Sequence, residues 1–438
     1  MNSAATAAVF GIPTIIPSGV LAMPGRPGAN DRIVYGHIGI GGMGQNHVAY
    51  RSMDPNAIIG GLCDVDSDHL YKMGKRISLA PRNKGCLLTK DYRELLDRKD
   101  IDAISIATPD HWHAIMAVHA CQAGKDVYSE KPTCKTIQEG QAMINAANYY
   151  KRVVQIGMQG RSNPAAAAAC NFIRNGQIGK VSHVEVWHEK NPTGHWVEDE
   201  DPPANLDYDM WLGPARWRHY NPSCCHFNFR WLMEFGAGYI RDRGNHVLNV
   251  VMWCMGADNT GPVSVEATGQ PAPEGQWDVP VTMEAKWEFK NPDWTLTWSQ
   301  PGRPCKVPNG SSKLHSWGAI YHGDRDTLVV SEGDSECETE PRARAYVPPP
   351  GGFNAYLEPG YGEAWVRHNL NWKSCIKSRN KPVAPPEIGA RVVTLAITAN
   401  IALQLKRKLQ WDPVNERFVG DEEANRMLAQ PYRAPFHL

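Results

Sequence analysis

Arg32-Ile33-Val34-Tyr35-Gly36-His37-Ile38, followed without a break by Gly39-Ile40-Gly41-Gly42-Met43-Gly44 and then Gln45-Asn46-His47-Val48-Ala49, decides the fold of this chain. The opening residues read as a short strand, the middle ones as a glycine turn and the last as the start of a helix. A Gly-x-Gly-x-x-Gly turn uses its first glycine for a tight bend, its second for close approach of backbone to a pyrophosphate and its third for helix–strand packing. Phosphates then rest on the free N–H groups of the helix N-terminus. The stretch therefore predicts a dinucleotide cradle at Gly39, Gly41, Gly42, Met43 and Gly44.

The residues that follow extend the same pattern. A second strand, Ala57 to Cys63, ends in Asp64, which lies 25 residues after Gly39. That is close to the separation of a carboxylate that accepts hydrogen bonds from the adenosine ribose. A carboxylate there repels a 2′-phosphate, and Val65, Asp66 and Ser67 follow it with no Arg, so NAD is expected over NADP. The competing reading of Asp64 is a helix N-cap. Asp102 to Ala107 reads as a buried parallel strand, running into Thr108-Pro109-Asp110-His111-Trp112-His113, a helix from Ala114 to Ala123, and Gly124 as its C-cap. Asp126-Val127-Tyr128-Ser129 then leads to Glu130-Lys131-Pro132. Ligands bind at the carboxyl ends of such strands, and a cis Lys131–Pro132 bond is expected to aim the lysine at a substrate.

Beyond Val153 to Gln159 the pattern changes. Val181 to His188, Val263 to Gly269, Val281 to Phe289, Trp294 to Ser299 and Gly318 to Glu332 read as strands with few helices between them, which predicts an open, largely antiparallel sheet. A final helix is expected over 386–409, packing back on the first domain. The fold class is thus α/β plus α+β. A Rossmann dinucleotide-binding domain over 32–155 precedes a substrate and oligomerisation domain over 156–385 and a C-terminal helix and tail over 386–438. Two domains also suit 438 residues, more than one core usually holds.

Composition narrows the partner. Lys plus Arg and Asp plus Glu are both 46, so no electrostatic footprint for nucleic acid is present. Eleven Cys without a C-x-x-C pair indicate neither a zinc ribbon nor a closed disulfide framework. His111 and His113 lack a third ligand, so no metal is assigned. Residues 1–31 include an almost charge-free run from Ala4 to Met23, broken by Pro13 and Pro17, which argues against a membrane span. It reads either as the apolar part of a secretory signal without its basic region, implying a periplasmic or otherwise exported protein, or as an N-terminal arm, with a cytoplasmic location as the alternative.

Asp242-Arg243-Gly244-Asn245-His246 carries the chemistry of the second half. On a helix Asp242 and His246 share one face. A histidine titrates near neutrality and suits the removal of a hydroxyl proton, while Lys131 at a strand end is placed to stabilise a developing alkoxide. Arg241 and Arg243 flank Asp242 and are expected to keep it ionised. Fifteen Trp supply flat surfaces that stack on sugar rings. Trp112, Trp187, His188, Trp196, Asn245 and the stretch His226-Phe227-Asn228-Phe229-Arg230-Trp231 are candidate pocket walls, with core packing as the competing reading.

Taken together, the Gly39–Gly44 loop, Thr108-Pro109-x-x-x-His113, Glu130-Lys131-Pro132 and Asp242-x-x-x-His246 resemble the Gfo/Idh/MocA oxidoreductases. Trp211-Leu212-Gly213-Pro214 and Lys408-Leu409-Gln410-Trp411-Asp412-Pro413 look like an exported bacterial branch of that family. The resemblance implies NAD as cofactor, bound by the glycine loop with Asp64, Thr108, Pro109, His113, Glu130, Lys131 and Gln159. It implies Lys131, Asp242 and His246 as the catalytic group: His246 the proton acceptor, Lys131 the polarising and relay residue, Asp242 a substrate-hydroxyl or relay partner. It also implies a homodimer or homotetramer through the free face of the sheet. The family often has Asp where Asn249 stands. The expected activity is hydride transfer from a ring hydroxyl of a sugar or glycoside. The alternatives are a redox-neutral glycoside-cleaving enzyme with tightly bound NAD and a non-catalytic nucleotide- or sugar-binding protein.

Overall fold

The computed structural model describes residues 28, 31–333, 336–360 and 362–438. The signal-like run from Ala4 to Met23 lies outside the described residues. Six strands form the first sheet: β1 (Ile33–Ile38), β2 (Ala57–Cys63), β3 (Leu87–Thr89), β4 (Ala103–Ile106), β5 (Asp126–Ser129) and β6 (Val154–Ile156). Their order is β3-β2-β1-β4-β5-β6, with every neighbouring pair parallel. The order reverses at β1 and β4, so a crevice opens at the carboxyl ends of those two strands. Local sequence sets the helices around it. Asp66 caps the Ser67–Ile77 helix by accepting from the Asp68 N–H, and Thr136 with Glu139 forms a capping box at the head of Ile137–Tyr149.

The second sheet has nine strands: β7 (Val181–Trp187), β8 (Ser264–Thr268), β9 (Met283–Phe289), β10 (Trp294–Gln300), β11 (Trp317–Gly323), β12 (Thr327–Glu332), β13 (Cys337–Thr339), β14 (Leu409–Asp412) and β15 (Arg417–Phe418). They run β13-β12-β11-β7-β10-β9-β8-β14-β15, antiparallel except where β7 meets β10. Burial alternates along β9 and β10, as a half-buried sheet requires. The inward side chains, Trp287, Trp294 and Trp298 among them, join one core with the helices Pro164–Arg174, Gly244–Cys254 and Pro386–Leu405.

Two sequence expectations change here. The stretch from Gly318 to Glu332 is a hairpin, because the polar Asp324-Arg325-Asp326 turn reverses the chain and the Gly323 N–H donates to the Asp326 carbonyl at 2.9 Å. The last helix stops at Leu405, with Lys406 left-handed. Leu409 to Asp412 then pairs with β8 because buried Leu409 and Trp411 alternate with exposed Gln410. Among the described residues this helix alone is long and apolar enough to cross a membrane, yet 72 % of that stretch is buried in the protein. It packs against the Ile137–Tyr149 helix on one side and against β8 and β9 on the other.

Between β7 and the Gly244–Cys254 helix, residues 188–243 leave the second sheet and cross to the first. The excursion has its own small core of Leu206, Tyr208, Trp211, Leu212 and Phe235.

Candidate functional site

A cavity of about 920 Å³ opens at the β1/β4 crevice and extends to the second sheet, a size suited to small ligands. At one end lies the glycine turn. Gly39 has φ +77°, and a Cβ there would stand 2.7 Å from the Ala107 carbonyl oxygen; one on Gly44 would stand 1.9 Å from the Gly39 carbonyl oxygen. These two glycines are dictated by packing. Gly42 is different: a Cβ there would meet nothing within 4 Å, and Gly41, Gly42 and Met43 line the cavity. The Gly42–Met53 helix has no side-chain cap and no acidic residue in its first turn, so its free N–H groups suit a phosphate. Gly44 serves by closing the turn against Gly39.

Asp64 ends β2 at the cavity wall. Its Oδ2 accepts the Ile40 N–H at 2.8 Å and faces His69 Nδ1 at 3.2 Å, while Oδ1 accepts the Asp66 N–H at 2.9 Å. The N-cap is Asp66, and Asp64 lines the cavity. Thr108 and Pro109 also line the cavity. His113 does not: its Nδ1 lies 2.7 Å from the Pro132 carbonyl and its Nε2 2.9 Å from that of Thr108, so it ties the β4 and β5 loops together instead of meeting the cofactor. Gln159 lines the cavity and donates to the Tyr128 hydroxyl at 3.0 Å and to Glu130 Oε1 at 3.3 Å. Burial opposes ionisation of Glu130, but the His47 imidazole, 2.9 Å away, and the Lys131 charge bring its carboxyl below the usual range.

The Lys131–Pro132 bond is cis, as the sequence suggested. Lys131 Nζ donates to Asp242 Oδ1 at 2.5 Å, and Arg230 Nε donates to Asp242 Oδ2 at 3.0 Å. Burial works against the Asp242 carboxylate, yet Lys131 and Arg230 hold it well below the usual carboxylate range. The flanking arginines expected to do this point elsewhere. Arg241 donates to the carbonyls of Gly236 and Phe235, and Arg243 pairs with Glu189 at 2.6 Å. Asp242 also lies in the turn before the helix, so the shared helical face inferred for Asp242 and His246 does not exist. The turn brings them together instead. Burial first, and then the Lys131 charge, bring the His246 imidazole down to about 4. It is therefore neutral at pH 7 and able to take a proton.

An ammonium, a neutral imidazole and a carboxylate that holds the ammonium thus share one cavity with the glycine turn. The first domain matches the description "Oxidoreductase family, NAD-binding Rossmann fold" over residues 33–158, and the second matches "Oxidoreductase family, C-terminal alpha/beta domain" over 178–286 and 365–438. The chain belongs to the Gfo/Idh/MocA oxidoreductases. Levoglucosan dehydrogenase of Pseudarthrobacter phenanthrenivorans is 29 % identical over 168 residues, 38 % of this chain and 36 % of that protein. Glycosyl hydrolase family 109 protein 2 of a Shewanella strain is 32 % identical over 182 residues, 38 % of this chain and 39 % of that protein. The chain therefore matches less than half the length of either relative. Two solved structures share the fold. Levoglucosan dehydrogenase with NADH has a TM-score of 0.59 at 20 % identity, covering 86 % of this chain and 99 % of that one. Aldose-aldose oxidoreductase of Caulobacter crescentus has 0.57 at 17 %, with the same coverage.

In this NAD-binding oxidoreductase the expected pocket walls divide. Trp112 and Arg230 line the cavity. Trp112 donates to the Trp211 carbonyl at 3.0 Å, and a Cβ on Gly213 would stand 1.9 Å from its ring, so the Trp-Leu-Gly-Pro motif backs this indole. His188, Trp231 and Asn245 are core. The His188 ring lies 5.4 Å from both Trp298 and Trp317, Trp231 packs on Tyr239 and Trp277, and the Asn245 amide donates to the Arg241 carbonyl. A core of this size absorbs aromatic side chains that a linear pattern assigns to a surface. Trp187 is buried as well, and Trp196 is exposed. Asn249 accepts from Arg161 at 2.6 Å, and Arg161 pairs with Asp258, so the position serves packing of the Gly244–Cys254 helix.

Three groups escaped the linear reading. His47 braces Glu130. His69 lines the cavity beside Asp64, next to His226, which the sequence already names as a candidate wall. Glu332, at the end of β12, also lines the cavity, is 5 % exposed, and is pushed up to about 8 by burial. A lone glutamate at a strand end carries no sequence signal; only the fold shows its surroundings.

Proposed function

We propose that this protein oxidises a ring hydroxyl of a sugar or glycoside with NAD. The observation that carries the reading is the neutral, buried His246 beside the Lys131–Asp242 pair in the cavity that holds the glycine cradle. The residues present fit the cofactor: the open face at Gly42, the uncapped helix and the Asp64 carboxylate match the phosphates and ribose in order. When bound, NAD takes up the hydride of the carbinol carbon. His246 accepts the hydroxyl proton, and the Lys131 ammonium, held by Asp242, stabilises the alkoxide oxygen as its charge develops. Arg230, which lines the cavity beside Asp242, is placed to meet the sugar by hydrogen bonding.

A second reading is favoured by the family 109 glycosyl hydrolase relative. There the ketone formed by oxidation acidifies the neighbouring C–H, the glycosidic oxygen leaves by elimination, water adds, and the hydride returns to the sugar. A panel of sugars and aryl glycosides with NAD separates the two. NADH accumulating with product is expected from a dehydrogenase, whereas product without net NADH identifies cleavage. No turnover of any carbohydrate by protein loaded with NAD would refute both.

A further inference from the structure

Side chains alternate along a strand, so β7 sends Val184 and Val186 into the core and His183 and Glu185 to the opposite face of the second sheet. On that face His183 has a partner on either side. Thr295 of β10 stands across from it in the parallel pair, and His322 of β11 in the antiparallel pair. One ligand atom from each of His183, Glu185 and His322 lies within 4.8 Å of the others. The two imidazole rings are 5.5 Å apart and stacked at 22°, and His322 Nε2 faces Glu185 Oε2 at 3.7 Å. That separation is too long for a hydrogen bond. His322 Nε2 is closed off from solvent and has no hydrogen-bond partner among the described residues.

We propose that His183, Glu185 and His322 bind a divalent transition-metal ion, zinc by ligand preference, which ties β7 to β11 on the face of the sheet turned away from its core helices. The site is separate from the NAD cavity, which none of the three residues lines, and it stands whether or not the functional reading above does. Two imidazole nitrogens and a carboxylate oxygen form a ligand set that zinc takes with water in the fourth position. Calcium and magnesium, which take oxygen ligands, are disfavoured by the two imidazoles. His183 is prepared for the role. Its Nδ1 lies 2.8 Å from Thr295 Oγ1, and an N–H donated to that hydroxyl fixes the ring and leaves the Nε2 lone pair for the ion. The longer contact of Nε2 with Thr297 Oγ1, 3.3 Å, is the one the ion displaces. Burial first, and the His322 ring next, hold His183 below the ordinary histidine value, so it meets the ion as a neutral ligand. Zinc ligands lie about 2.0–2.2 Å from the ion, so the three atoms draw together by roughly an ångström on binding. Glu185 and His322, with side chains 44 % and 37 % exposed, have room for that movement. The ion supplies the partner that His322 Nε2 lacks.

The test strips the full-length protein with a chelator, dialyses it against zinc chloride and counts bound zinc by mass spectrometry, in the wild type, His183→Gln, His322→Gln and His69→Gln. Asp66, His69 and His226 present a second group of ligand atoms within 4.8 Å of one another at the cofactor cavity, so His69→Gln is the control. Removing even a group that supports a ligand weakens metal binding about tenfold to a hundredfold. The His183 and His322 variants are therefore expected to hold one zinc fewer than the wild type and to lose the rise in melting temperature that zinc gives it, while His69→Gln keeps that rise. Zinc bound equally by the wild type and both variants, or lost in His69→Gln alone, would overturn the site. The wild type gives a measurement that no folding defect can disturb: zinc should protect His183 and His322 from diethyl pyrocarbonate, read by peptide mass, and unchanged labelling of both would overturn the proposal.

Discussion

Replacing Lys131 with Met tests the centre of the mechanism, because the two side chains have similar length and the variant loses only the charge and its hydrogen bond. In the structure the Lys131 side chain is 12 % exposed and sits 2.5 Å from Asp242 Oδ1, so its ammonium is held in one place and largely out of water. A preorganised donor of this kind aimed at a developing oxyanion is worth about 3–4 kcal/mol, a loss of about a hundredfold to a thousandfold in kcat/KM when removed. The pH dependence gives a second, independent number. Burial and then Lys131 lower His246 to about 4, so wild-type kcat/KM holds down to about pH 5 and falls as pH drops through about 4, where the base becomes protonated. Without Lys131 one of the three depressing influences disappears, while burial and the Arg243 charge remain. The acid limb then moves upward by on the order of one pH unit, about 1.4 kcal/mol, and stays below the ordinary histidine value. Initial rates from about pH 4 to 9 with a substrate found in the sugar panel read both effects. A wild-type limb near 6.5, or a Lys131→Met enzyme with the same limb and activity within about tenfold of the wild type, would refute the assignment.

Further outcomes follow from other parts of the fold. Gly42→Ala meets no atom, so the unliganded protein should keep or slightly raise its melting temperature while NAD affinity falls about tenfold or more. Gly44→Ala strikes the Gly39 carbonyl and should lower both, by calorimetry and by Trp-fluorescence titration. Glu332 is raised from 4.5 to about 8, so folding keeps its proton on and stability drains away as pH rises from about 4.5 to 8. Glu332→Gln should therefore stabilise by up to a few kcal/mol at pH 8 and by far less at pH 5; equal effects at both would contradict the burial argument. Burial lowers His111 to about 3 and His188 and His368 to about 4. The stability from keeping them neutral is complete above about 6.5 and is lost as pH falls toward those values. Urea midpoints should drop steadily from pH 7 to 5, and a flat profile would count against it.

The sequence by itself determined the first domain and named the charged and imidazole side chains that meet in its cavity. Local chemistry suffices there. A strand, a glycine turn and a helix are contiguous, and the glycines at 39 and 44 are demanded by atoms a few residues away or on the next strand. Glu130, Lys131, Asp242 and His246 could be named from short motifs for the same reason. Tertiary structure decided how they work together. The cations that keep Asp242 ionised are Lys131 and Arg230, 111 and 12 residues distant, and not its neighbours Arg241 and Arg243. Side-chain direction, which sequence adjacency does not encode, turns those neighbours toward backbone carbonyls and Glu189. The same holds for the aromatic residues. Trp112 and Trp231 look alike along the chain, yet one faces the cavity and the other is packed among Tyr239 and Trp277. Burial, which sets the proton affinities of His246 and Glu332, depends on which surfaces meet. That is a property of the folded pair of domains and of no single stretch of chain.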